Sequence, residues 1–220
     1  MTDAAAFFRF EGTLSPRPTL ATAAWLAANS QGLGERIARL GNVALAAPFL
    51  SKTPLRDPTV GNRMAWMGLR GVSDDRLHFL GEEYAEEQLI PNLREVGLEL
   101  LEDAKRNGHR VVLISDNLES VLRPIAAHLG IEDVVCNRME FRDQKATGRL
   151  NDPVISGRIA GDWVRDFADH HDLRLPNCLA YGAHADDSLL LGLIGKPCAV
   201  HPDRELRCLA RDLDWPVVEG

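Results

Sequence analysis

The chain has 220 residues, of which 45% are hydrophobic and 26% are charged, a composition typical of a folded protein with little extended disorder. Its formal net charge is -7. This charge argues against a nucleic-acid partner, because binding DNA or RNA requires a basic face. The length is sufficient for one compact domain and a modest insert.

The N-terminus and the cysteines give an expectation about location. Residues 1–10 lack the basic and apolar regions of a signal peptide, and no apolar run is long enough to cross a membrane. The four cysteines show no C-x-x-C spacing and are interpreted as buried free thiols. We therefore expect a cytoplasmic protein with no membrane partner.

The first part of the chain predicts one strand followed by a helical insert. Residues 5–10 form a short apolar run that predicts a buried strand ending in a loop at Glu11. From residue 19 to residue 91 the apolar residues follow helical spacing, with breaks expected at Gly41, Pro48, Pro54, Pro58 and Gly71. We predict an all-helical cap over residues 16–91, and a core domain formed by residues 1–15 and 92–220.

After Pro91, apolar runs of strand length alternate with helical patterns. This succession predicts a Rossmann-like α/β fold, with a parallel sheet covered by helices on both faces and the cap inserted after the first strand. Helices are predicted over residues 93–106, 121–129, 157–171, 186–194 and 204–212, and strands over residues 110–115, 133–137, 178–181 and 197–200.

Three predicted strand ends carry polar side chains. Ligands of open parallel sheets bind beyond the carboxyl ends of the strands, so these segments are expected to meet at one site. The segments are Phe8-Arg9-Phe10-Glu11-Gly12-Thr13-Leu14, Leu113-Ile114-Ser115-Asp116-Asn117 and Tyr181-Gly182-Ala183-His184-Ala185-Asp186-Asp187.

The order of these segments resembles the haloacid dehalogenase-like superfamily, and in particular its phosphoserine phosphatase-like branch, in which a helical cap follows the first strand. The segment Thr147-Gly148-Arg149 and the tail around Lys196-Pro197 are similar to that branch too. The resemblance implies an Asp nucleophile that forms an aspartyl-phosphate, and a second Asp that acts as acid and base. It also implies a hydroxyl and a Lys that hold the phosphoryl group, and acidic residues that bind Mg²⁺.

Several residues of that pattern are replaced in this chain. Arg9 stands at the nucleophile position, and Glu11 stands at the acid/base position. Ser115 keeps the hydroxyl, whereas Ala160 falls where the Lys is expected and Ala183 where a metal-binding Asp is expected. Ser115 and Glu11 are therefore the candidate catalytic residues, and the aspartyl-phosphate route is expected to be absent, because a guanidinium cannot attack phosphorus.

Two roles are open for Arg9. In one, Arg9, Ser115 and Asp116 form an anion site, with the guanidinium as a bidentate fork for phosphate or carboxylate. In the other, Arg9 pairs internally with Glu11 or Asp187 and closes the pocket. Asp116, which directly follows Ser115, is a further candidate partner of Arg9 and favours the second role.

Metal binding is the remaining question at these strand ends. Asp187 matches one metal-binding Asp of the resemblance, but Arg9 and Ala183 replace other expected ligands, so no cofactor is predicted where active relatives use Mg²⁺. A weaker hypothesis places Zn²⁺ or Mn²⁺ on His184 and Asp187, because imidazole and carboxylate suit those ions.

These observations lead to one main functional prediction and one alternative. The main prediction is a catalytically degenerate phosphatase-like protein that is not an enzyme and has a binding or regulatory role. Its partner would be a phosphorylated small molecule or another protein. The alternative is an active phosphomonoesterase or related hydrolase with a rearranged site, in which Glu11 activates water directly.

Overall fold

A computed structural model describes residues 4–30, 33–50 and 57–219 of the chain. Within them, six parallel strands form one sheet in the order β3-β2-β1-β6-β7-β8, and β4 and β5 form an antiparallel hairpin. The first strand therefore lies at the centre of the sheet, with β2 and β6 as its neighbours. The strands are β1 Ala5–Arg9, β2 Arg110–Leu118, β3 Asp133–Asn137, β4 Met139–Arg142, β5 Lys145–Leu150, β6 Leu179–Gly182, β7 Lys196–Val200 and β8 Val217–Val218.

The described helices cover both faces of this sheet. Each helix carries apolar residues at three- and four-residue spacing and buries them against the strands or against a neighbouring helix. The helices are α1 Thr19–Asn29, α2 Leu33–Leu50, α3 Pro58–Met67, α4 Asp74–Tyr84, α5 Glu95–Arg106, α6 Glu119–His128, α7 Gly157–His170, α8 Ser188–Leu193 and α9 Arg204–Asp212.

The central strand β1 shows why the fold has a core on each face. All five of its residues are buried, and its side chains alternate between the two faces. Phe8 packs in the cluster that includes α5 and α6 and stacks on Tyr181, with ring centroids 4.3 Å apart. Phe7 packs in the cluster that includes α7, α8 and α9. The Rossmann-like prediction is confirmed, because both faces of a parallel sheet are covered.

The described part of the segment between β1 and α5 has helices as its regular elements, namely four α-helices, a π-helical turn at Ala85–Leu89 and a 3₁₀ turn at Ile90–Asn92, joined by turns and irregular stretches. The breaks predicted at Gly41 and Pro48 are wrong, because α2 runs through both. Packing of α2 against α1 and α3 outweighs the weak helix propensities of Gly and Pro. Pro54 lies outside the described residues. The boundaries of the cap at residues 16 and 91 stay a prediction.

Two close backbone approaches help to hold the inserted segment against the rest of the protein. At the first, Gly81 on α4 approaches α6 so closely that a Cβ there would lie 2.4 Å from the carbonyl oxygen of Ser120. At the second, the segment before α4 pairs with β5: the amide of Gly71 donates to the carbonyl of Ala146, and the amide of Ala146 donates to the carbonyl of Val72, both at 2.8 Å. Backbone contacts therefore fix the helices over the strand ends.

Other details differ from the sequence-based expectations. The strand expected to stop at Ser115 continues to Leu118, and the edge strand β8 was not expected. The cysteines are free, but Cys208 is exposed on α9, so the expectation that all four are buried is wrong. Within the described ranges, no helix is both long enough and apolar enough to cross a membrane.

Candidate functional site

The three polar segments meet where β1, β2 and β6 end. Arg9 is the last residue of β1 and pairs in register with Ile114, the residue before Ser115. Asp187 lies in the short 3₁₀ turn that follows β6, the other neighbour of β1. Parallel strands bring their carboxyl ends to one edge of the sheet, which is why residues so distant in the chain form one cluster.

Arg9 is the centre of this cluster and is only 3% exposed. Its Nε donates to Oδ1 of Asp187 at 2.8 Å, and its Nη2 donates to Oδ1 of Asp116 at 2.7 Å. The same Nη2 lies 3.6 Å from Oε2 of Glu11. Arg9 is thus ion-paired with carboxylates from two other segments. This is the internal pairing considered from the sequence, and Asp116 is one of the partners.

Glu11 is anchored through a single carboxylate oxygen. Its Oε1 accepts from the hydroxyl of Ser115 at 2.5 Å, from the side-chain amide of Asn117 at 2.8 Å and from the backbone amide of Asp116 at 3.1 Å. The hydroxyl of Thr19 donates to the same oxygen at 3.4 Å. These four donors fix the carboxylate against the end of β2.

Both carboxylate oxygens of Asp187 also accept hydrogen bonds. While Oδ1 accepts from Arg9, Oδ2 accepts from the backbone amides of Ala183 and His184, each at 2.9 Å. The small side chain of Ala183 allows the loop to approach Gly12, which has φ +79° and where a Cβ would lie 2.4 Å from the Cβ of Ala183. A glycine is therefore required here for both its backbone angle and its lack of a side chain.

The pKa values of the two central groups are both raised. Burial alone would lower the pKa of Arg9, but the charges of Asp116, Asp187 and Glu11 outweigh burial and raise it above its ordinary value. Burial raises the pKa of Glu11, and the charge of Asp116 adds to this, while Arg9 and the Ser115 hydrogen bond oppose it. The guanidinium therefore stays charged, and Glu11 is the carboxylate that takes up a proton more readily than usual.

The electrostatics favour a closed pocket over an anion site. One guanidinium faces three carboxylates, so the cluster is net negative when all three are ionised. This negative charge would repel an incoming phosphate. In addition, Nε and Nη2 of Arg9 already donate hydrogen bonds to Asp187 and Asp116. Two atoms of the cluster, Nη1 of Arg9 and Oε2 of Glu11, are buried without a hydrogen-bond partner.

The Mg²⁺ that the resemblance implies does not fit these residues. Asp187 gives one oxygen to Arg9 and the other to two backbone amides, and Ala183 supplies no oxygen from its side chain. The guanidinium lies between the carboxylates of Asp187 and Asp116, where its charge would repel a second cation. The carboxylates that would hold Mg²⁺ therefore already surround the guanidinium of Arg9.

His184, the other metal candidate, lies beside Asp203. Its Nδ1 lies 3.7 Å from Oδ2 of Asp203, and its pKa is raised by the hydrogen bond to that residue. Among the residues that the structure describes, no group of three or more His, Cys, Asp or Glu side chains is arranged to hold a metal ion. The transition-metal assignment to His184 and Asp187 stays a prediction.

Sequence reasoning missed three polar residues of the site. Asn117 and Thr19 bind Glu11, and Asn62 on α3 donates to Oδ2 of Asp116 at 3.3 Å, so the inserted helices reach into the cluster. Asn117 could have been found, because it ends the segment that contains Ser115. Thr19 and Asn62 lie in helical stretches that carry no local signal. Ala160, at the Lys position, is fully buried on α7.

The fold and the cluster together define a phosphatase-like α/β protein with inserted helices over its strand ends. A family model described as haloacid dehalogenase-like hydrolase matches residues 6–191. The chain belongs to this family, and the resemblance seen in the sequence is confirmed.

Several of the relatives are named as hydrolases or phosphatases. A putative hydrolase of Mycobacterium leprae is 31% identical over 180 residues, which cover 81% of this chain and 60% of that protein. A phosphoserine phosphatase of Mycobacterium tuberculosis is also 31% identical over 180 residues, covering 81% of this chain and 58% of that protein. The chain thus spans about 60% of the length of these curated relatives. Their names favour the alternative prediction, an active hydrolase, over the non-catalytic one.

Solved structures share the fold over nearly the whole chain. A protein of unknown function from Bordetella pertussis superimposes with a TM-score of 0.84 at 20% identity, covering 99% of both chains. A substrate-bound phosphoserine phosphatase superimposes with a TM-score of 0.72 at 18% identity, covering 100% of this chain and 94% of that one. At these identities the likeness establishes the architecture alone.

Proposed function

We propose that this family member does not use the aspartyl-phosphate reaction and has a binding or regulatory role. The observation that carries the proposal is the environment of Arg9. The resemblance places a nucleophilic Asp at this position, and Arg9 instead ends β1 with its guanidinium ion-paired to Asp187 and Asp116. A guanidinium has no lone pair available for attack on phosphorus and remains protonated at physiological pH.

The Arg9 cluster stabilises the arrangement in which the pocket at the strand ends is closed by the protein's own side chains. Arg9 neutralises carboxylates that would otherwise repel one another in a buried site, and Asn62 connects the inserted helices to the same cluster through Asp116. The ion pairs therefore hold the strand ends and the helices above them together. We infer that Arg9 contributes to the structure of this pocket in the place where active relatives carry out chemistry.

The binding role follows from the same electrostatics. Because the strand-end pocket is net negative, a phosphorylated small molecule is not expected to bind at Arg9. The partner is instead another protein, or a phosphorylated molecule bound away from this cluster. Nucleic acid is not part of the proposal, because the chain carries a formal net charge of -7.

The second candidate is a phosphomonoesterase with a rearranged site, which the names of the relatives favour. One feature of the site supports it. Glu11 is buried, has a raised pKa and is held by Ser115, as a general base requires. In this reaction a water molecule attacks phosphorus as Glu11 accepts its proton, and the leaving alcohol takes up a proton from Glu11.

Phosphate release from p-nitrophenyl phosphate and phosphoserine, with and without Mg²⁺, separates the two candidates. The wild-type chain, the Arg9→Ala variant and the Glu11→Gln variant are compared with an active phosphoserine phosphatase. We expect all three forms of this chain to stay at the buffer background. Robust turnover by the wild type that survives Arg9→Ala and is lost in Glu11→Gln would overturn the proposal in favour of the rearranged hydrolase.

A further inference from the structure

The hairpin formed by β4 and β5 has one apolar and one charged face. Met139, Ala146 and Leu150 are buried in the core beneath it. Because side chains alternate along a strand, the residues between them point to the other side. There they line an open surface cavity of about 280 Å³, bounded by the exposed residues Arg70, Arg142 and Arg149 and by Glu140 and Thr147.

Backbone contacts hold the walls of this cavity in place. The amide of Asp74 donates to the carbonyl of Gln144 at 3.0 Å, next to the pairing of Gly71 and Val72 with Ala146. Gly148 has φ +81°, and a Cβ there would lie 3.1 Å from the Cβ of Arg70. The backbone of Arg70, in the turn after α3, therefore lies close to the hairpin strand that carries Arg149.

The cavity is positively charged in a chain that is negative overall. Its single acidic group, Glu140, accepts from the hydroxyl of Thr147 at 2.7 Å and from Nη2 of Arg142 at 3.4 Å. The hydrogen bond from Thr147 and the nearby charges of Arg142 and Arg149 lower the pKa of Glu140. In the cavity wall, the guanidiniums of Arg142 and Arg149 exceed the carboxylate of Glu140 by one positive charge.

We propose that this cavity binds an oxyanion with two or more negative charges, such as the phosphate or pyrophosphate group of a small molecule. Guanidinium groups bind phosphate oxygens in pairs and remain charged at any physiological pH. The volume of about 280 Å³ fits such a group with a few further atoms. The site is separate from the Arg9 cluster, so it functions whether or not the strand ends carry out catalysis.

Isothermal titration calorimetry with inorganic pyrophosphate and with inorganic phosphate tests this site. The wild-type chain is compared with the double variant Arg142→Gln/Arg149→Gln. The matched control is Arg165→Gln, which removes an exposed arginine of α7 that also has an ion pair. Circular dichroism establishes that each variant is folded.

We expect saturable binding to the wild type and the control, with pyrophosphate bound more tightly than phosphate and both weakened by added salt. The double variant should bind about tenfold or more weakly, because charge-assisted hydrogen bonds are lost. Absence of saturable binding to the wild type would overturn the proposal. Equal affinity in the double variant would overturn it as well, because the anion would then bind elsewhere.

Discussion

Replacement of Arg9 by Met removes the cation from the buried cluster and keeps a side chain of similar length. The carboxylates of Asp187 and Asp116 then lose their ion pairs at 2.8 and 2.7 Å. Breaking a buried ion pair by removing one partner costs about 3–5 kcal/mol, because the other charge stays buried without compensation. We therefore expect the free energy of unfolding to fall by about this amount near pH 8.

The pH dependence of this loss identifies its cause. Without Arg9, the three carboxylates repel one another, and protonation relieves the repulsion. The difference in stability between wild type and Arg9→Met should therefore shrink as the pH is lowered from about 8 towards about 5. A loss that came only from poorer packing would stay the same over this range.

Urea denaturation followed by circular dichroism measures both effects. The control is Arg63→Met, which breaks the exposed ion pair with Asp152 and should change stability by no more than about 0.5 kcal/mol. If Arg9→Met is as stable as the wild type at pH 8, the guanidinium is not the group that compensates these carboxylates, and the closed-pocket account fails.

Three further predictions concern neighbouring residues. The folded-state pKa of Glu11 is raised, so its contribution to stability is complete at low pH and is lost as the pH rises through that pKa. In denaturation curves, the Glu11→Gln variant should therefore gain stability relative to the wild type as the pH rises. The control variant Glu82→Gln, at an exposed position, should not. Gly12→Ala should lower stability by more than about 2 kcal/mol, because it places a Cβ against Ala183 at positive φ; a melting temperature equal to that of the wild type would refute this contact. The Arg9→Asp variant should remain inactive in phosphate-release assays, whereas the double variant Arg9→Asp/Ala183→Asp should gain at best weak, Mg²⁺-dependent turnover. Strong activity of the single variant would contradict the argument that uncompensated carboxylates in this cluster repel one another.

The sheet was predictable because its signals are local. Short apolar runs separated by helical patterns identify parallel strands, and the burial of every residue of β1 agrees with that reading. The strand β8 has two residues, Val217–Val218, which is too short for a periodic signal. Strand β4 is also short, with four residues, and alternates charged with apolar side chains beside a turn.

The centre of the site was predictable only in part. The order of the strand-end segments brought Arg9, Glu11 and Asp187 together, because parallel strands end at a common edge. The sequence left open whether Arg9 binds the anion of a ligand or pairs with carboxylates of the protein itself, since that depends on side-chain geometry. The contact between Asn62 and Asp116 joins residues 54 positions apart, and no pattern near Asn62 indicates it.

Helix ends were the least predictable feature. The π-helical turn Ala85–Leu89 and the continuation of α2 through Pro48 depend on packing between helices rather than on the residues themselves. The cavity beside Arg142 and Arg149 was also not visible in the sequence. It requires Arg70, which comes from a helix connection more than sixty positions earlier in the chain.

The most direct test of the central claim is a crystal structure of the chain grown with Mg²⁺ and inorganic phosphate. We predict that the guanidinium of Arg9 remains between Asp187 and Asp116, with no cation coordinated by Asp187 and no phosphate at Ser115. An octahedral Mg²⁺ bound to Asp187, with the side chain of Arg9 turned away from the carboxylates, would contradict the account.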